Sequence, residues 1–163
     1  MPLLVIVNVS PLIGLAKAGR LRLLETLYDD VLIPPSVYED VVTRGRGRTG
    51  ARAVKNAVRA GWMRVVPVTD RSLIPAEFKN DSEGEVIALA LEQQATLAII
   101  DDRKARKTCD LLGIRWLSTA GIIRDAVQAG RVRRAKPIFD RIIANGFGVW
   151  DYEAILRSLG ELP

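Results

Sequence analysis

The 163-residue sequence has no histidine and a single cysteine, Cys109. Without an imidazole there is no Ser-His-Asp or Cys-His nucleophile system, no HExxH zinc site and no His acting as general base near neutral pH. One thiol closes no internal disulfide and builds no thiolate metal site. Aromatic residues make up only 6% of the chain, and none is interleaved among the arginines, so base stacking is not the expected mode of recognition. No apolar run approaches the roughly 18 residues of a membrane span. The opening MPLLVIV is too short for a signal-peptide core and lacks a basic flank, so the expected location, with one lone thiol, is the cytoplasm. What remains is chemistry of carboxylates, Lys, Arg and hydroxyls, alone or with an oxygen-loving cation such as Mg²⁺ or Mn²⁺.

The composition present is that of a globular protein, 48% hydrophobic and 26% charged, and the length fits one domain over residues 1–163. Lys and Arg exceed Asp and Glu by 24 − 19 = 5, an excess compatible with a polyanionic partner. No linker, low-complexity tract or repeat interrupts the chain.

Apolar runs alternate with helical patterns. Leu3 to Val7 and Thr96 to Ile100 are continuous apolar runs, as central parallel strands buried on both faces require. Val31 to Ile33, Met63 to Val68 and Ile114 to Leu117 read as three further strands. Helices are expected from Ser10-Pro11 to Lys17, Leu21 to Tyr28, Ser36 to Val42, Ala51 to Ala60, Asp81-Ser82 to Gln93, Arg103 to Leu112 and Ser118 to Ala129. Two C-terminal helices follow from about residue 134, over Lys136 to Ala144 and Tyr152 to Leu159. This alternation predicts a three-layer α/β/α sandwich around a central, mostly parallel five-stranded sheet.

In such a fold strand C-termini and helix N-termini share one rim. Asn8 follows the first strand, Glu39 and Glu85 lie in first turns of helices, and Asp101-Asp102 follow the fourth strand, so all are expected at that rim. Carboxylates gathered there call for a cation, Mg²⁺ or Mn²⁺, to relieve their repulsion. A structural alternative stands beside this reading. Ser36 to Glu39 and Ser82 to Glu85 both match the S-x-x-E capping box, and Asp101 or Asp102 also suits a helix N-cap.

The segments IVNVSPLIGLAKAGRLRLLETLY, VLIPPSVYEDVV, SEGEVIALALEQQATLAIIDDRKAR and LGIRWLSTAGII, in this order and spacing, resemble the PIN-domain family, in its VapC-related PIN-like branch. The resemblance implies an α/β fold and a Mg²⁺- or Mn²⁺-dependent ribonuclease whose acids gather at one rim. It puts the family's four acids at Asn8, Glu39, Glu85 and Asp102, with Asp101 as a supporting neighbour and Ser10 as the small hydroxyl residue. Active members usually carry Asp where this chain has Asn8. An amide oxygen still ligates Mg²⁺, but the site is one negative charge poorer.

Arg44, Arg46 and Arg48 in the loop RGRGRTG, and Arg103 and Lys104 after the acidic pair, are placed to hold an RNA backbone. Trp62, Trp116 and Trp150 are expected in core or interface packing. The excess of apolar residues on the first two helices fits either core packing or an interface, and the resemblance implies homodimers and an antitoxin protein as partners. Two functions follow: a metal-dependent endoribonuclease acting on single-stranded RNA, or a weakened PIN-like module that binds RNA or a protein.

Overall fold

The structure, a computed structural model, describes residues 2–163. Five strands, β1 (Leu4–Val7), β2 (Asp30–Ile33), β3 (Met63–Val65), β4 (Leu97–Ile99) and β5 (Trp116–Leu117), form one sheet in the order β3-β2-β1-β4-β5. Every pairing is parallel, so the expected mostly parallel sheet is wholly parallel. The helices are α1 (Val9–Lys17), α2 (Leu23–Leu27), α3 (Pro35–Tyr38), α4 (Thr49–Ala60), α5 (Ser82–Glu92), α6 (Arg103–Leu111), α7 (Thr119–Gln128), α8 (Lys136–Ala144) and α9 (Tyr152–Ser158).

Burial follows strand position. In β1, Val5, Ile6 and Val7 are fully buried, because helices cover both faces and strands flank both edges. The edge strands β3 and β5 are only partly buried and shorter than expected. Pro67 has no N–H to continue the β3 ladder, which ends with Val66 donating to the Ile33 carbonyl. Ile114 donates to the Cys109 carbonyl, closing α6, and so is lost to β5. On the sheet, α1 packs against α4, α7 and α8, whereas α5 packs against α3 and α6 and onto β1 and β4, giving helix layers on both faces. The apolar cluster runs unbroken from Val5 to Leu156 and takes in Phe139 and Ile142 of α8. No helix among the described residues is long and apolar enough to cross a membrane.

The strand order decides where a site can form. The chain steps from β1 outward through β2 to β3, then returns to the other side of β1 with β4 and β5. The order therefore reverses between β1 and β4, and the crevice outside the C-terminal ends of those two strands is where open α/β sheets bind ligands. Asn8 follows β1 and Asp101-Asp102 follow β4. The N-terminus of α5 reaches the same rim, because that helix runs back to start β4.

Candidate functional site

Asn8 lies at the centre of the rim and is only 3% exposed. Its backbone N–H extends the β1–β4 ladder to the Ile99 carbonyl, and its side chain is fixed from both ends. The Ser82 hydroxyl donates to Asn8 Oδ1 at 3.1 Å, and Asn8 Nδ2 donates to Glu83 Oε1 at 3.2 Å. A carboxylate only accepts, so the amide NH₂ must face Glu83. Although Asn8 occupies the N-cap position of α1, its side chain makes no cap bond, being committed across the crevice to α5. Helix α1 begins at Val9, so Ser10 sits half-buried in its first turn instead of capping it.

The structure corrects both capping-box readings. The N-cap of α5 is Asp81, and Ser82 is turned to Asn8; α3 is preceded by Pro34, and the buried Ser36 hydroxyl has no hydrogen-bond partner. Glu39 and Glu85 do not fold back on their helices. They line one small cleft of about 180 Å³ together with Ser36, Asp40, Asp81 and Ser82. Glu39 is carried there by a wide helical turn over Glu39–Thr43, in which the Arg44 N–H reaches back to the Glu39 carbonyl. Wide turns of this kind recur at functional sites.

Asp102 does cap its helix, accepting from the Ala105 N–H at 2.7 Å, while Asp101 accepts from both the N–H and the hydroxyl of Thr119 at 2.7 Å. These bonds hold the two acids at the β4 end of the crevice and leave Glu39 and Glu85 at the α3–α5 end. Arg44 lies 3.8 Å from Glu39 and 3.0 Å from Asp40, and Arg71 lies 3.9 Å from Glu85. Consequently the expected convergence of Glu39, Glu85 and Asp102 on one ion is not formed: among the described residues no three acids, His or Cys gather closely enough to hold a metal. The guanidinium groups and the helix-cap donors already offset the charges that would otherwise draw the acids together around a cation.

Glu83 was not singled out by sequence, and only its position after a capping-type serine could have drawn attention to it. Gly84 behind it is required sterically. A Cβ there would run into the Phe78 carbonyl and lie 2.9 Å from Ile74 Cγ2, so glycine allows α5 to start hard against the 74–78 segment.

Basic residues gather in two regions, one following Glu39 and Asp40 along the chain and one on α6 directly after Asp102. Between Val41 and Thr69 the chain has no acidic residue. Arg46, Arg48, Arg52 and Lys55 surround a pocket of about 380 Å³ beside Tyr38 and form no ion pair among the described residues. On α6 the tertiary fold supplies what the linear sequence lacked. Arg103 stacks on Trp150 at 4.8 Å, Lys104 lies over Phe78 at 5.6 Å, and the buried Arg106 stacks on Trp116 at 4.6 Å. Trp62 and Trp116 are half-buried, as expected, but Trp150 is 56% exposed and is no core residue.

Cys109 is buried, and desolvation, reinforced by Asp110, pushes its thiol up to about 11, which makes it chemically quiet.

The family described as a PIN domain matches residues 4–161, nearly the whole chain, and the protein belongs to that family. No curated protein matches the sequence. Membership makes this a nuclease-type fold, and PIN domains generally work with divalent metals. The donors at the rim suit such an ion in kind: Glu39, Glu85, Asp101 and Asp102 offer carboxylate oxygens, Asn8 an amide oxygen, and Ser36 an orphaned hydroxyl in the cleft.

Proposed function

We propose that the protein is a Mg²⁺- or Mn²⁺-dependent endoribonuclease that hydrolyses single-stranded RNA. The observation carrying this reading is the placement of Glu39, Glu85 and the unpartnered Ser36 hydroxyl in one cleft between α3 and α5, on the same rim as Asn8 and Asp102 at the sheet's reversal point. A bound divalent ion would polarise the scissile phosphate and lower the pKa of a water. Asn8, Glu39, Glu85 and Asp102 would hold it, with Asp101, itself fixed by Thr119, supporting from the adjacent position. Glu39 is exposed and its arginine contact is long, so it can turn toward a cation, whereas Glu85 is mostly buried in the cleft and its 3.9 Å contact to the exposed Arg71 is loose enough to give way. Ser10, in the first turn of α1 beside Asn8, supports the crevice wall. Arg44, Arg46, Arg48, Arg103 and Lys104 would carry the RNA phosphates.

We take the chain to act as one domain in the cytoplasm, as a VapC-related toxin restrained by an antitoxin. A groove of about 690 Å³ floored by Ala16, Leu21, Ala53, Ala57 and Trp62 is where such a protein, or a second copy in a homodimer, would seat.

A second reading is favoured by the Asn8–Glu83 hydrogen bond. An amide that already satisfies a carboxylate removes part of the need for a cation, as expected of a weakened module that binds RNA without cleaving it.

Incubation of single-stranded RNA in Mn²⁺, Mg²⁺ or EDTA separates the two, using wild type, Asp102→Asn and Asn8→Asp. Cleavage that survives EDTA or Asp102→Asn sinks the metal-nuclease reading. Cleavage that appears only in Asn8→Asp supports the weakened module.

A further inference from the structure

Trp150 is the one large aromatic among the described residues that stands mostly in solvent, and the chain around it holds it at the crevice. The segment joining α8 to α9 is anchored at Phe147, whose ring lies over Gly14 of α1 close to Thr119. Thr119 is the residue that binds Asp101. Three residues on, Trp150 lies against Arg103, the residue directly after Asp102. The next residue, Asp151, takes a left-handed backbone with φ 59°, rare for a non-glycine, so the turn that presents Trp150 is set by the local fold. Lys17 reinforces the anchor by donating to the Asn145 carbonyl at 2.9 Å.

An exposed indole with a guanidinium 4.8 Å from its centre, next to an acidic rim, matches the two halves of a nucleotide. The ring offers a flat π face to a base, and the cation a partner for its phosphate. Charge alone would suit any polyanion; the added aromatic face favours an unstacked nucleobase, which a single strand presents freely and a duplex does not, and the ribonuclease reading makes that strand RNA.

We propose that Trp150 is a base-stacking platform that, with Arg103, seats one nucleotide of a single-stranded RNA beside the Asp101-Asp102 end of the crevice. The proposal rests on the ribonuclease reading, for which it names the recognition mode. When RNA binds, a base lies on the indole, and Arg103 turns from the ring to the adjoining phosphate.

The test is a binding titration in EDTA, where no metal-dependent cleavage intervenes, using a short single-stranded RNA and the same RNA with one abasic position moved along it. Trp150→Ala should weaken the intact strand about tenfold, and Trp150→Phe should retain most of the affinity. The salt dependence should be unchanged, since stacking releases no counterions. At one abasic position, wild type should lose the same factor and Trp150→Ala should lose nothing more. Equal binding by wild type and Trp150→Ala overturns the proposal, as does a loss in Trp150→Ala that is the same at every abasic position. A Trp150→Ala variant with intact RNA affinity that changes from dimer to monomer would assign the ring to a copy-to-copy interface and overturn it too. If wild type neither binds nor cleaves RNA, the ribonuclease reading itself falls; if wild type cleaves RNA and Trp150→Ala binds it normally, only the platform falls.

Discussion

Replacing Asn8 by Asp tests the physics of the crevice most directly. In the wild type, the amide NH₂ donates to Glu83 Oε1 at 3.2 Å inside a site where Asn8 is 3% exposed. A hydrogen bond to a charged group is worth about 1.5–3 kcal/mol, and Asn8→Asp removes it. The new carboxylate would also face the Glu83 carboxylate at that 3.2 Å distance, a repulsion of about 5 kcal/mol at an effective dielectric near 20. Glu83 is half-buried at the start of α5 and relieves most of this by turning outward. The loss realised in EDTA is then near that of the hydrogen bond, about 2–3 kcal/mol, or roughly 4–12 °C in melting temperature for a chain of this size. A divalent cation at 100 times its dissociation constant returns about 2.7 kcal/mol, so Mn²⁺ should restore the variant nearly to wild-type stability. The assay is thermal unfolding of both proteins in EDTA and across a Mn²⁺ series, with RNA cleavage measured in parallel. A variant as stable as wild type in EDTA, or one whose Mn²⁺ response equals that of wild type, would refute the reasoning.

Four further outcomes follow from other parts of the fold. Asp102→Ala should cost about 1 kcal/mol of stability through loss of the α6 cap, measured by urea unfolding, whereas a capping Asp102→Asn should cost little and still abolish metal-dependent cleavage. Gly84→Ala should destabilise by about 1–3 kcal/mol, because its Cβ meets the Phe78 carbonyl; a melting temperature unchanged from wild type would contradict the packing. Tyr28 has a buried, unpartnered hydroxyl, and burial, then Asp125, raises its pKa to about 12. Its contribution is thus fully present below its unfolded value of about 10 and lost as pH rises toward 12. Tyr28→Phe should match or exceed wild-type stability at neutral pH and show a shallower alkaline loss in pH-dependent melting. Cys109 should resist iodoacetamide at pH 8 in the native protein and react promptly in denaturant; fast native labelling would show that the α6 core opens.

The sequence by itself determined the order of the main strands and helices and their arrangement in layers, though not the shortness of the edge strands or the wide turn after α3. Continuous apolar runs such as LLVIV and TLAII require burial on both faces, which only a central parallel strand between helix layers supplies. Helix ends were legible wherever a local device sets them: Gly113 in a left-handed turn after α6, and Ser118 accepting from Gly121 N–H at the start of α7. It also placed Asn8, Glu39, Glu85, Asp101 and Asp102 on one rim, because strand direction fixes which end each residue occupies. What it did not determine is which of these side chains meet. Asn8 and Glu83 are 75 residues apart, and they touch only because the strand order puts β4, and with it α5, beside β1. The Ser82 to Glu85 capping box does not form for the same reason: a serine hydroxyl has both a local and a distant partner open to it, and tertiary geometry makes the distant one available to Ser82. The aromatic partners of the α6 cations likewise come from segments far along the chain, Phe78 before α6 and Trp150 well after it. Periodicity reports the burial a residue needs, which is local. Hydrogen-bond partners and stacking faces depend on which elements become neighbours, and that was decided only when the sheet closed in the order β3-β2-β1-β4-β5.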